Sequence, residues 1–221
     1  MFYWTDEKID WYERASRYTS FHKLLSDEIE KLSNKDESIL ELGCGLGHVS
    51  ALLSSNHPIV ALDRDERVIK IAREREGKDI YITEDAETTE RKGDLLLLLF
   101  YGRIMEEDRL EKLLDRANKH IIYVYSKHTG QDKTLNSRAA IEKEKIDDKL
   151  NAMGLKHEIK EATIAFHQPL LSMEEAIIFL KESYPNKDIN RYLPYVKESD
   201  NKDYPFLFIN NKNIVIVDIK K

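Results

Sequence analysis

The chain has 221 residues, with 35 Lys and Arg against 41 Asp and Glu and a formal net charge of −6. That length suits one domain with a modest elaboration and a full hydrophobic core, and the dispersed charge, with no basic stripe, argues against nucleic acid as a partner. A single cysteine, Cys44, excludes an intramolecular disulfide and a multi-cysteine zinc site; with no signal peptide and no bilayer-length apolar run, a cytoplasmic protein with no metal and no membrane partner is expected.

Residues 1–35 open on the aromatics Phe2, Tyr3, Trp4, Trp11, Tyr12 and Tyr18, followed by a helical pattern through Phe21, Leu24, Leu25, Ile29 and Leu32. Spacings of three and four give this helix one face to bury. The aromatics either pack it on a sheet or cap a ligand.

The stretch that organises the rest runs from Ser38 to Leu53. A short apolar run fit for a buried parallel strand ends in Gly43, Gly45 and Gly47, and a helical pattern starts at once. Alternating glycines allow a sharp turn and close approach of a ligand, and the helix behind them directs free N–H groups at it. A dinucleotide fingerprint would place the third glycine one residue later. Glu41, two positions before the first glycine, would repel a pyrophosphate and favour an ammonium group.

At these residues the sequence resembles motif I of the class I S-adenosylmethionine-dependent methyltransferases, and the segments from about 36 to 126 fit that family in order. The resemblance implies a Rossmann-like α/β fold: a seven-stranded, mostly parallel sheet with helices on both faces and a C-terminal antiparallel hairpin. One domain would span 1–221, with an N-terminal cap helix (1–35), a cofactor core (36–126), a lid insertion (155–203) and a closing hairpin (204–221). It implies S-adenosyl-L-methionine as cofactor and S-adenosyl-L-homocysteine as product. Gly43, Cys44, Gly45 and Gly47 would cradle the amino-acid arm, with Glu41 acting there through water or a loop amide. A tyrosine of the 11–18 run, Tyr18 or Tyr12, would reach the methionine end.

The next strand, Pro58–Leu62, ends at Asp63. A carboxylate there suits both ribose hydroxyls; the alternative is an N-cap for the helix from Asp65. Arg64 would lie along the adenine. After the strand 80–83 comes Glu84-Asp85-Ala86-Glu87. The resemblance places Asp85 on the adenine amine and the next backbone N–H, that of Ala86, on a ring nitrogen; Glu84 and Glu87 leave the register open, and an acidic solvent turn is the alternative.

The run Asp94–Phe100 is continuously apolar after its first residue and reads as a strand buried on both faces. Phe100 and Tyr101 follow at the switch point where ligands bind. Phe100 would border the transferable methyl; Tyr101 would orient substrate, accept a proton or simply pack. The Asn/Asp-Pro-Pro-Tyr signature of nucleic-acid amino-methyltransferases is absent. A helix is expected over 106–118, a strand over 120–126, and a loop carrying His128, a candidate base by its titration range. A charged helix over 135–153, a strand near 159–166, a Ser172-capped helix to Leu180 and a hairpin of 206–209 with 214–217 complete the reading. His167, Tyr192 and Tyr195 would line the lid or pack within it. The function expected is methyl transfer to an oxygen or nitrogen of a small molecule, by a monomer or homodimer. The alternatives are an RNA or protein methyltransferase and a non-catalytic cofactor-binding protein.

Overall fold

The computed structural model describes residues 4–106, 108–127 and 133–221, the side chains of 133–141 excepted. Its strands are β1 (Ile39–Leu42), β2 (Ile59–Asp63), β3 (Tyr81–Thr83), β4 (Gly93–Leu99), β5 (Ala117–Lys127), β6 (His157–Ala165), β7 (Gln168–Leu170), β8 (Val196–Glu198), β9 (Phe206–Phe208) and β10 (Asn211–Lys220). Its helices are α1 (Asp6–Tyr18), α2 (Phe21–Glu30), α3 (His48–Leu53), α4 (Glu66–Glu76), α5 (Arg109–Arg116), α6 (Lys133–Ala152) and α7 (Met173–Ser183). The chain divides into a larger unit, His22–Thr163 with Asn213–Lys221, and a smaller one, Met1–Phe21 with Ile164–Lys212.

A seven-stranded sheet with the order β3-β2-β1-β4-β5-β10-β6 forms the larger unit's frame. The first five are parallel: Ile39 pairs with Ile59 on one side and Leu95 on the other. The strand order reverses between β1 and β4, so their C-terminal ends flank a crevice. Leu95–Leu98 are wholly buried, as their unbroken apolarity requires of a central strand. β10 runs antiparallel to β5, from Asn213 opposite Lys127 to Lys220 opposite His120.

The closing antiparallel pair differs from the expected hairpin in its partner. β9 lies in a separate three-stranded sheet, β7-β9-β8, and β10 pairs with β6. Ile214–Ile219 are buried at every position, so both faces of β10 are covered, as befits an interior strand. Helix α5 is shorter than 106–118 because Ala117 and Asn118 already belong to β5, Ala117 lying opposite Gly93. The N-terminal helical pattern is two helices. Thr19 is extended, and both its N–H and its hydroxyl bond Ala15 O to end α1.

At the end of the strands opposite the crevice, His120 is 1% exposed and bridges Glu37 (3.1 Å) and Asp218 (2.9 Å) through its two ring nitrogens. Asn34 donates its backbone and side-chain N–H to Glu37 (2.8 and 2.7 Å), and Lys220 pairs with Asp218 (2.8 Å). Burial pushes the Glu37 carboxyl up, but the bonds from Asn34 and His120 outweigh it and hold it below its usual value.

In the smaller unit, Leu170, Ala176, Leu180, Val196 and Phe208 form the core. Ser172 caps α7 by accepting from Glu175 N (3.1 Å), as its spacing predicts. The Glu175 side chain binds Leu171 N, Trp11 Nε1 (3.0 Å) and the buried guanidinium of Arg14, tying α1 to α7. Tyr192 stacks on Tyr184 at 4.0 Å. His167 bonds the backbone of Asn210.

Candidate active site

The turn after β1 is built from three residues with left-handed backbones: Gly43 (φ 73°), Gly45 (φ 53°) and Gly47 (φ 68°). Glycine is required at two of them on space as well. A Cβ on Gly43 would lie 2.2 Å from the Tyr101 ring, and one on Gly47 2.2 Å from the Tyr81 ring. Tyr81 is wholly buried in β3 and donates its hydroxyl to Gly47 O (3.0 Å), while Arg75 donates to Leu46 O (2.7 Å). The turn is thus clamped from behind by a strand and a helix before any ligand is considered.

Beneath it, Glu41 is 2% exposed and accepts from the Ser50 hydroxyl on α3. Burial raises its carboxyl to about 7; the Ser50 bond opposes this and nearby Asp63 adds to it. Burial, Glu41 and Asp63 also push the Cys44 thiol up, which leaves it protonated and a poor nucleophile.

Asp63 ends β2 with both oxygens engaged by backbone: Oδ2 accepts from Gly45 N (2.9 Å) and Oδ1 from Asp65 N (3.0 Å). The cap of α4 is Asp65, which accepts from Arg67 N (3.0 Å), so Asp63 is not the N-cap. Arg64 follows on the surface. In the turn after β3, Glu84 pairs with Arg91 (2.9 Å) and Glu87 with Arg109 (2.7 Å), whereas Asp85 Oδ1 accepts from Glu87 N (2.9 Å) within its own turn. Ala86 is buried there, and its carbonyl accepts from Arg116 (2.7 Å).

At the end of β4, Phe100 has a left-handed backbone (φ 56°) and a side chain 40% exposed. For a residue with a Cβ this geometry costs roughly 1–2 kcal/mol; the bond from Phe100 N to Val124 O (2.8 Å) helps to hold it. Tyr101 turns its ring over Gly43 and donates its hydroxyl to Glu87 (2.7 Å), with the Arg109 guanidinium 5.3 Å from the ring. Burial, reinforced by Glu87, pushes the phenol up to about 12. Tyr101 is a hydrogen-bonded wall at neutral pH and not a ready proton acceptor.

The structure therefore brings Gly43, Cys44, Gly45, Gly47 and Asp63 together at one turn, with Glu41 bonded to Ser50 on the helix that follows it and Tyr101 against Gly43. Tyr18, the last residue of α1, belongs to the smaller unit, and His128 lies outside the described residues. The supporting residues Ser50, Tyr81 and Arg75 carry no sequence signal: each acts through a contact across the fold.

No protein-family model and no curated protein matches the chain. Solved structures do. Magnesium protoporphyrin IX methyltransferase from Synechocystis PCC 6803, with bound SAH, is 11% identical with a TM-score of 0.56, over 100% of this chain and 90% of that one. A SAM-dependent methyltransferase from Thermotoga maritima is 16% identical with a TM-score of 0.51, over 98% and 95%. Precorrin-6y C5,15-methyltransferase from Geobacter metallireducens is 14% identical with a TM-score of 0.51, over 90% and 88%. With its strand order and antiparallel β10, the chain has the fold of the class I S-adenosylmethionine-dependent methyltransferases.

Proposed function

We propose that the protein binds S-adenosyl-L-methionine and transfers its methyl group to an oxygen or nitrogen of a small-molecule acceptor. The observation that carries this reading is the carboxylate of Asp63 bonded into the triple-glycine turn directly above the buried Glu41 carboxyl. The acceptor set fits the cofactor's donors. Ribose hydroxyls need an acceptor-only group with spare lone pairs, and each Asp63 oxygen has accepted one N–H and can accept another bond. An ammonium needs Glu41 and turn carbonyls, and the adenine amine needs the Asp85 carboxylate. The Ala86 N–H serves a ring nitrogen, Arg64 flanks the adenine, and Phe100 borders the methyl.

When bound, the cofactor supplies a methyl already activated on a sulfonium. The chain's own residues then orient and enclose. The clamped turn fixes the donor's position, and Tyr101 walls the crevice between β1 and β4, so proximity and exclusion of water supply the rate. Small-molecule acceptors are favoured by the acidic net charge and by relatives of the same fold that act on tetrapyrroles. His128 remains the candidate base.

Titration calorimetry with S-adenosylhomocysteine tests the cofactor, and incubation with methyl-labelled cofactor and a metabolite extract tests the transfer. Binding followed by label in a small organic-soluble product is expected. Binding without label in any fraction would point to a non-catalytic binder, and no binding would overturn the reading.

A further inference from the structure

β6 is an outer strand of the larger sheet, nine residues long, where the opposite outer strand β3 has three. Its ladder with β10 is bracketed by Lys220 N to Lys156 O (2.8 Å) and Phe166 N to Asn210 O (2.9 Å). In an antiparallel pair, successive residues direct their N–H and C=O to opposite sides. Glu158, Lys160 and Ala162 therefore bond towards β10, and His157, Ile159, Glu161 and Thr163 direct theirs outward. Among the described residues no strand covers that side. Glu158, Lys160, Glu161 and Thr163 are exposed, and an open groove of about 590 Å³ lies on the sheet face between β6 and α6, lined by His157, Ile159 and Glu161 with Lys143, Glu144 and Asp147. A long uncovered edge is a template for another strand.

The charges select a register. Two copies related by a two-fold axis must bring outward-bonding residues opposite one another. Centred on Glu158, Lys160 or Glu161, the pairing sets like charges face to face. Centred on Ile159, it sets His157 opposite Glu161 and Glu158 opposite Lys160, each twice, with the two Ile159 side chains meeting on the axis. His157 is bonded by the Leu155 carbonyl (2.9 Å) and Asp147 (2.7 Å), which hold it towards its charged form, and Glu161 is paired with Lys127 and Lys143, so these two positions meet as the edges of charged clusters and not as a fresh ion pair. Opposite charges across strands stabilise a pair, and like charges oppose it.

We propose that the protein forms a two-fold dimer in solution by antiparallel pairing of β6 with β6 of a second copy, registered on Ile159. An interface of one strand and its flanking side chains is small, so the dimer is concentration-dependent. The cofactor crevice, between β1 and β4, lies away from this edge and stays open.

Sedimentation equilibrium of the full chain is expected to show mass rising with concentration from 25.9 kDa towards twice that value. Lys160→Glu, which also breaks the pair of Lys160 with Glu28 inside the chain, replaces two attractions by two repulsions and is expected to weaken the dimer by about tenfold or more; adding Glu158→Lys to it restores dimerisation. Ile159→Pro removes an outward N–H without touching the β10 ladder and is expected to give a folded monomer. In hydrogen exchange, the amides of Ile159 and Glu161 slow as the dimer fills. A monomer at every concentration, a dimer indifferent to Lys160→Glu, or a dimer that leaves these amides unprotected, as pairing through another surface would, overturns the proposal.

Discussion

Asp63 Oδ2 lies 2.9 Å from Gly45 N and joins the tip of β2 to the middle of the glycine turn after β1. The same carboxylate thus shapes the turn. Asp63→Ala removes an acceptor of charge-assisted bonds worth about 1.5–3 kcal/mol. S-adenosylhomocysteine affinity is expected to fall about 10- to 100-fold by calorimetry; an unaltered dissociation constant would remove Asp63 from the cofactor site.

Glu41 should uncouple stability from binding. Its folded value of about 7 lies above the ordinary 4.5, so the folded state keeps a proton that the unfolded chain releases between those values. The stability this contributes is complete below 4.5 and is lost as pH rises through 7. Glu41→Gln, which keeps an acceptor for Ser50, is expected to match the parent near pH 4.5 and exceed it by about 3 kcal/mol at pH 8 in urea unfolding. Cofactor affinity moves the other way and weakens.

Gly43 and Tyr101 form a complementary pair. Gly43→Ala drives a methyl into the Tyr101 ring and is expected to abolish cofactor binding. Tyr101→Ala in the same chain clears the clash and leaves the backbone cost of about 1–2 kcal/mol, so partial recovery of binding is expected. If the double variant binds no better than Gly43→Ala, the ring is not what excludes the side chain.

His120→Ala removes one buried bond from each of Glu37 and Asp218, which keep Asn34 and Lys220 as partners. A loss of about 1–3 kcal/mol is expected, read as a lower denaturation midpoint at pH 7. Glu37 itself, held below its usual value, contributes stability that is present above about 4.5 and lost as pH falls through its lowered folded value. Glu37→Gln should therefore flatten the acid limb of the pH–stability curve.

What was legible in the sequence is what depends on local pattern. The Leu95–Leu98 run gave a buried central strand, the spacing of Gly43, Gly45 and Gly47 gave the turn, and the acidic strand tip gave Asp63. What was not legible depends on partners distant in the chain. Phe206–Phe208 reads as half of a hairpin with 214–217, but pairing is set by which strands lie on either side of β10, and no local pattern encodes that. Tyr81 reads as an ordinary strand aromatic until its hydroxyl meets Gly47. In the acidic cluster at 84–87, the two glutamates pair with Arg91 and Arg109, which no local pattern announces.

β10 is inserted between two strands made earlier, β5 and β6, and the whole of Gln168–Phe208 is translated between β6 and the one strand that pairs with it among the described residues. During synthesis the edge of β5 is bare and β6 is orphaned until the last strand arrives. Completion of the sheet is therefore a late, all-or-nothing event, and a ribosome that stalls short of Asn211 would release a chain with two sticky strands for quality-control proteases to find.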